Sequence, residues 1–461
     1  MKISLAQVRL KTGDFDFNFE NIIKNVKGDL VIFPQADIES LGGKDLVLDE
    51  KCRICQSEFY QKIADKNFPQ NILIGDVLIR NGQVEYSDEY EICGKKVFVS
   101  DTFIEDIECD LYVLAKNRYF AMNTYKEFVD SIETKTNFVY VNALGLADCN
   151  VYAGGSFAKN ADNKLVLQMP VCEEDIDTVD FSRVIEFCDE PMEKQVLAVT
   201  TFALKEYCEN TGFKKVILGL SGGIDSALTA ALAVQALGAE NVFGILMPSM
   251  FSSEGSIKDS LKLAENLGMQ TVTEPITSLF ENFMCERERK HDLAEENLQA
   301  RLRGLILMFY SNRENMLLLS TGNKSESAMG FGTLYGDLAG GYNLICDLTK
   351  TNVYKLSNYI NRDCKIIPQE IIDKAPSAEL HPNQKDSDRL PEYDMLDEII
   401  EMYLEQNMTA DEIPYDRTVV DEVIRKIHRF QFKRHQVCLG VRLTERAFCG
   451  GVNLPVVQRL Y

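Results

Sequence analysis

The stretch Val216-Ile217-Leu218-Gly219-Leu220-Ser221-Gly222-Gly223-Ile224-Asp225-Ser226-Ala227 constrains this chain more than any other. Its apolar start reads as a buried strand, Ser-Gly-Gly as a tight turn, and Ala227 to Leu237 as a helix closed by Gly238. A strand handed to a helix through glycines offers an anion three things: backbone N–H groups, the hydroxyls of Ser221 and Ser226, and the positive end of a helix dipole. Asp225 is the odd member, because a carboxylate repels phosphate unless a divalent cation stands between them. It is therefore expected to be a magnesium ligand.

The loop lacks the Gly-Lys-Ser/Thr ending of a Walker motif and the G-x-G-x-x-G of a dinucleotide fingerprint. It resembles the S-G-G-x-D-S loop of the ATP pyrophosphatases, which split ATP into AMP and pyrophosphate to activate a carbonyl oxygen.

With 461 residues the chain has room for two or three domains, and a net charge of −22 argues against broad nucleic-acid binding. The first residues, Met1 to Val8, turn polar too soon for a signal peptide, and no apolar run is long enough to span a bilayer. A cytoplasmic protein without a membrane partner is expected. The 13 cysteines are scattered, an odd number that suits reduced thiols. Cys52 and Cys55 form the one C-x-x-C, without a second pair at zinc spacing.

Residues 1–170 mix strands and helices. Ile3 to Val8, Leu30 to Phe33, Ile72 to Ile79, Lys96 to Ser100, Leu111 to Ala115 and Phe138 to Asn142 read as strands, and Asn18 to Val26 as a helix. Ala6-Gln7, Gly13-Asp14-Phe15, Asp29-Leu30-Val31-Ile32-Phe33-Pro34, Val139-Tyr140-Val141-Asn142 and Gly154-Gly155-Ser156-Phe157 make this part resemble a nitrilase-like α/β sandwich, the glutaminase domain fused to some NAD synthetases. The resemblance implies a cysteine nucleophile, a glutamate base and a lysine for the oxyanion. Gln35 stands where the glutamate belongs and Ser100 where the cysteine belongs. The segment Val84 to Lys95 is too short for the lysine, so the hydrolytic centre is expected to be lost. Lys95 or Lys96, and Cys93 or Cys109, are the available stand-ins.

An acidic stretch through residues 171–192 reads as an exposed crossing between domains. Residues 193–461 then alternate strand and helix, as a Rossmann-like doubly wound sheet requires. After Glu193 to Asn210 and the central loop come a strand Val242 to Met247, a helix Ser256 to Leu267, a strand near Thr271, a long helical region to Asn312 and a strand Met316 to Ser320. Ligands in such sheets sit beyond the carboxyl ends of the strands. Thr321-Gly322-Asn323-Lys324-Ser325-Glu326 therefore brings Thr321 and Glu326 toward the crevice of Ser221 and Asp225. Glu326 reads either as a second magnesium carboxylate or as a helix-start residue answering the dipole. On the helix Glu295 to Tyr310, Leu298, Leu302, Leu305 and Phe309 form an apolar face. Asn297 and Arg301, four apart on another face, either share a ligand or belong to a solvated side.

Together with Met247-Pro248-Ser249, Ser252 to Ser256, Glu296 to Arg301, Gly330 to Asp337, Asp347 to Thr351, Pro376-Ser377-Ala378-Glu379-Leu380 and Phe432-Lys433-Arg434, these blocks resemble NAD synthetase. The resemblance implies ATP as co-substrate, magnesium, and amidation of deamido-NAD through an adenylated intermediate. It assigns Gly219, Leu220, Ser221, Gly222, Gly223, Ile224, Asp225, Ser226, Thr321, Lys350 and Ser377 to ATP, and Asp225 and Glu326 to the metal. Asp225 and Lys350 take the catalytic roles. Asn297, Arg301, Phe331, Gly332, Thr333, Leu334, Asp337 and Lys433 go to deamido-NAD.

With the triad positions vacant, ammonia is the expected direct donor; the alternative keeps glutamine hydrolysis at an unorthodox centre. Another ATP pyrophosphatase, a non-catalytic nucleotide-binding regulator, and docking of a separate glutaminase are further readings. By resemblance alone, a homodimer or higher homo-oligomer is expected.

Overall fold

The computed structural model describes residues 1–377, 379–381, 384 and 386–460. It divides into two compact units, Met1–Val199 and Thr200–Tyr461. No helix among the described residues is long and apolar enough to cross a membrane.

In the first unit two six-stranded sheets face each other. One runs in the spatial order Asp175–Thr178, Ile3–Gln7, Leu30–Phe33, Asn71–Ile74, Val77–Arg80, Gln83–Tyr86. The other runs Leu165–Gln168, Phe157–Lys159, Asn137–Tyr140, Leu111–Leu114, Lys95–Ser100, Glu89–Ile92. Strand alternation assigns the layers: Leu5, Ile32 and Leu73 meet Val97, Val113 and Val139 between the sheets. Their neighbours Ala6, Val31 and Ile72 point outward, under the helices Phe15–Ile23 and Glu50–Asp65. The second sheet's outer face carries Tyr112, Phe138 and Tyr140 beneath the short helix Tyr125–Ser131. The result is the nitrilase-like α/β sandwich.

Two expectations change here. The single strand Ile72 to Ile79 is a hairpin, Asn71–Ile74 and Val77–Arg80, because Gly75 adopts φ +57° and turns the chain. Within the acidic crossing, Asp175–Thr178 is an edge strand paired antiparallel with Ile3–Gln7. Its period of two half-buries Ile176 against Phe15 and its neighbours and leaves the acidic residues to solvent.

The second unit is a six-stranded parallel sheet. Its strands are β1 (Val216–Gly219), β2 (Val242–Leu246), β3 (Gln270–Thr273), β4 (Leu317–Ser320), β5 (Tyr342–Asn343) and β6 (Leu439–Gly440). Their order is β3-β2-β1-β4-β5-β6, the doubly wound pattern, with its reversal between β1 and β4. Val216, Ile217 and Leu218 are fully buried, which accounts for their apolar run.

The helices that matter for the crevice are α1 (Ile224–Leu237), α2 (Glu254–Leu267), α3 (Leu293–Glu314), α4 (Lys324–Met329), α5 (Lys350–Ile360), α6 (Tyr393–Leu404) and α7 (Arg417–Arg429). α1 is almost wholly buried, with alanines at 227, 230, 231 and 233 that allow close packing. α4 is a short helix held from behind, as Ala328 and Met329 pack on Leu396, Ile399, Val420 and Val423 of α6 and α7. Each fully buried aliphatic side chain there contributes about 1.5–3 kcal/mol.

α1 begins at Ile224, three residues before the expected start, which puts Asp225 and Ser226 in its first turn. The helical region to Asn312 is two helices, Thr277–Met284 and α3. The expected apolar face of α3 is covered only in part: Leu302 packs on the sheet core and Leu298 is half-buried, but Leu305 is 63% and Phe309 48% exposed, while Glu296, Gln299 and Ala300 are buried. Spacing finds a stripe but not what covers it. Toward the sheet α3 turns Leu302, Ile306, Leu307 and Tyr310, which pack with Ile217, Ile245 and Leu318, while Gly304 lets the loop at Tyr335 and Gly336 approach, since a Cβ there would lie 3.0 Å from both carbonyls.

Candidate functional site

At the carboxyl end of β1 the chain turns through Gly222, at φ +77°. A Cβ there would sit 2.5 Å from the Ser256 carbonyl, so only glycine lets the loop pass the start of α2. Ser226 Oγ donates to the Gly223 carbonyl at 3.0 Å and lies 3.1 Å from Ser221 Oγ. The two hydroxyls thus converge at the first turn of α1. Asp225, in the same turn, is favoured there by the helix dipole.

The second carboxylate comes from α4. Asn323, fully buried, makes a capping box with Glu326: its Oδ1 accepts from the Glu326 N–H at 2.9 Å, and Glu326 Oε2 accepts from the Asn323 N–H at 3.2 Å. The other end of the same amide, Nδ2, donates to Asp225 Oδ1 at 3.0 Å. One side chain therefore links the starts of α1 and α4.

Lys350 is the first residue of α5. Its backbone N–H donates to Ser325 Oγ at 2.9 Å, and Ser325 donates to Asp397 of α6. The Lys350 side chain, 2% exposed, donates to Asp225 Oδ2, stands 3.8 Å from Glu326 Oε1 and lies 5.3 Å from the centre of the Tyr393 ring. Tyr393 in turn donates to Asp386 Oδ2 at 2.9 Å, while Asp386 Oδ1 has no partner among the described residues. Two carboxylates flank one ammonium, and a third lies behind Tyr393.

The charges follow from this packing. Burial, then the charge of Asp225, pushes the Glu326 carboxyl up to about 8, although Lys350 pulls the other way. Burial raises Asp386 as well. For Lys350 burial opposes the charged form, but Asp225 and Glu326 outweigh it and hold the ammonium. A like-charge carboxylate pair of hard oxygen donors is a donor set that a divalent cation suits. Mg²⁺ is commonly held by one or two carboxylates with phosphates and water completing the shell. Among the described residues, no three His, Cys, Asp or Glu side chains converge as a ready-made metal cage.

The other expected residues fall into a second cluster. Thr333 Oγ1 donates to Asn297 Oδ1 at 2.7 Å, and Arg301 Nε donates to the Leu334 carbonyl at 3.2 Å. α3 thus presents both residues to one loop. Asp337 accepts from the Thr333 N–H at 2.9 Å and burial raises its carboxyl. Lys433 donates to the carbonyls of Gly330 and Gly332, both at 2.7 Å, and burial lowers its ammonium. Phe331 and Thr321 are half-buried. Ser377 Oγ is spent on the Gln384 carbonyl at 2.6 Å. In the Pro376 to Leu380 block, Ala378 lies outside the described residues.

Sequence reasoning missed Asn323, Asp386, Tyr393 and Asp397. It also missed two ties of the segment after α5: Glu379 accepts from Ser256 Oγ at 2.7 Å, and Arg389 forks onto Glu296 at 2.8 and 2.9 Å. Asn-x-x-Glu at 323–326 was a readable capping signal; the long-range partners had none.

In the first unit, Ser100 Oγ donates to the Thr102 carbonyl at 2.7 Å and accepts from the Thr102 N–H at 3.1 Å, so its hydroxyl serves its own turn. Gln35 packs on Gly75, and its carbonyl accepts from Asn117 at 2.9 Å. The stand-ins are engaged elsewhere. Lys95 pairs with Asp110 at 2.9 Å and Lys96 with Glu89 at 3.2 Å, while burial raises the Cys109 thiol, opposite to what a nucleophile needs. All thirteen cysteines are free thiols.

Residues 196–437 match the NAD synthase family model. A glutamine-dependent NAD(+) synthetase of Synechocystis sp. is 42% identical over 339 residues, 70% of this chain, which spans 61% of that relative's length. One from Aquifex aeolicus is 33% identical over an alignment of 565 positions that takes in 100% of both chains. Since this chain has 461 residues, that alignment carries long gaps on its side. Among solved structures, the glutamine-dependent NAD+ synthetase from Acinetobacter baumannii in complex with ADP superposes with TM-score 0.73 and 28% identity, covering 99% of this chain and 98% of that one. The one from Cytophaga hutchinsonii gives TM-score 0.84 at 17% identity, covering 99% and 98%, a likeness of fold.

Proposed function

The chain belongs to the NAD synthase family of carbon–nitrogen ligases, and from that premise we propose that its second unit amidates deamido-NAD at the expense of ATP. The nicotinate carboxylate attacks the α-phosphate and releases pyrophosphate. Ammonia then attacks the adenylated carbonyl, and AMP leaves with the bonding electron pair. The single observation that supports this most is the gathering of Asp225, Glu326 and Lys350 at the switch point of the sheet, between the carboxyl ends of β1 and β4.

Residues 193–461 form the synthetase domain in this reading and 1–170 the nitrilase-like domain, whose first sheet also takes the strand Asp175–Thr178 out of the stretch 171–192 that joins them. Gly219 to Ser226 and Thr321 cradle the ATP phosphates, with Ser377 as a further contact. Lys350 would offer its ammonium to phosphate oxygens. Asp225 and Glu326 would hold magnesium, which when bound supplies positive charge to the pyrophosphate leaving group. Asn297, Arg301, Phe331 to Leu334, Asp337 and Lys433 hold the dinucleotide. Replacing Asp225 by alanine and following pyrophosphate release and NAD formation tests the assignment; an unchanged rate overturns it.

The relatives are named glutamine-dependent, and that favours glutamine as the nitrogen source over the ammonia expected from sequence. One observation favours the second reading, ammonia taken up directly: Ser100 is bound to its own turn and Gln35 has no acidic oxygen. Turnover of the purified chain with glutamine alone, set beside turnover with ammonium, separates them.

A further inference from the structure

The first unit contains a cavity of about 40 Å³ behind its second sheet, lined by Arg118, Tyr125, Phe128, Tyr140 and Gly155 among others. Neither Gln35 nor Ser100 lines it. Tyr140 is 1% exposed, and the hydroxyls of both Tyr140 and Tyr125 are buried without a hydrogen-bond partner among the described residues. Buried hydroxyls left this way destabilise a fold unless something accepts from them.

The third donor is Arg118, whose guanidinium carbon stacks 3.8 Å from the centre of the Phe128 ring and forms no ion pair among the described residues. The side chain of Asn142 in the wall is already engaged. Asn142 Oδ1 takes the Arg118 N–H at 3.0 Å, and its Nδ2 serves the carbonyls of Arg118 at 2.9 Å and Gly154 at 2.8 Å. Burial raises both phenols, so they remain O–H donors at neutral pH. Gly155, at φ +71°, keeps the wall thin: a Cβ there would lie 3.1 Å from the Tyr125 ring.

We propose that Arg118, Tyr125 and Tyr140 form a binding site for a short carboxylate, separate from the crevice at the carboxyl ends of β1 and β4. A planar carboxylate matches a guanidinium fork and accepts from two hydroxyls at once. The volume admits about three water-sized spheres at about 10–15 Å³ each, which limits the ligand to roughly formate or acetate, or to the carboxylate end of a longer molecule. This is independent of the amidation reading, since its test needs neither ATP nor dinucleotide.

The test titrates the full-length chain with sodium formate, acetate and phosphate against sodium chloride at matched ionic strength, read by calorimetry and by thermal unfolding. Saturable binding of the carboxylates is expected, weakened at least tenfold in Arg118→Met and about tenfold in Tyr140→Phe. Tyr125→Phe is the second probe if Arg118→Met does not fold. Shifts no larger than those of chloride, binding unchanged in the variants, or a response to phosphate alone would each overturn the proposal and leave a cavity that holds water.

Discussion

The ammonium of Lys350 is hydrogen-bonded to the carboxylate of Asp225 across 125 residues of sequence, and both lie at the mouth of the same parallel sheet. Lys350 is 2% and the Asp225 side chain 17% exposed, so the pair is poorly screened by solvent. Asp225→Asn keeps the shape and the bond to Asn323 but removes the charge. The expected result is a fall in kcat/KM for NAD formation of about a hundredfold or more, as for other lost charge-stabilising groups. Urea unfolding should show a loss of about 1.5–3 kcal/mol from the lost charged hydrogen bond.

Glu326 gives the site a pH dependence. Its folded carboxyl titrates near 8 and its free value is 4.5, so the folded state keeps a proton that the unfolded state releases. That stabilisation is complete below about 4.5 and disappears as pH rises through about 8. The ligand-free protein should therefore lose several degrees of Tm between pH 5 and pH 8, and Glu326→Gln should flatten the curve. Binding of magnesium with ATP, which requires the ionised carboxylate, should tighten over the same interval.

At Gly222 the φ of +77° and the 2.5 Å approach to the Ser256 carbonyl leave no room for a side chain. Gly222→Ala should cost about 1–2 kcal/mol from the left-handed backbone alone, with the displacement of α2 added. ATP binding followed by calorimetry should weaken along with it. Alanine at Gly94, where nothing lies within 4 Å, is a control that shares the strain but not the clash.

Arg389 holds the segment between α5 and α6 to α3 through both oxygens of Glu296, whose side chain is 7% exposed. Arg389→Lys loses the fork and Arg389→Ala leaves a buried carboxylate whose one remaining basic neighbour among the described residues is His381, at 3.9 Å. Because the Arg389 side chain is 42% exposed, the expected loss is modest, about 1 kcal/mol in denaturant unfolding. KM for ATP should rise more than kcat falls, since this segment carries Ser377 and Asp386.

Local chemistry was the legible part. The apolar run, the glycines and Asp225 announced β1, its turn and α1, and the polar blocks after β2 and β4 announced the crevice. Partners distant in sequence were not legible. Nothing near Asp225 names Lys350, and nothing near Ser325 names Asp397. The acidic segment at 175–178 hid a strand, because an edge strand needs only one inward side chain, Ile176. The apolar stripe of α3 was found by its period, but how much of it is covered was not legible: Leu302 packs against the sheet core while Leu305 and Phe309 stay exposed.

Asn323 works as a strut between two helices. Its carboxamide grips Asp225 at one end and the opening peptide of α4 at the other, so both acidic residues take their places from a single planar amide. Cutting that amide back would let the two helix starts drift apart without removing one charge from the crevice.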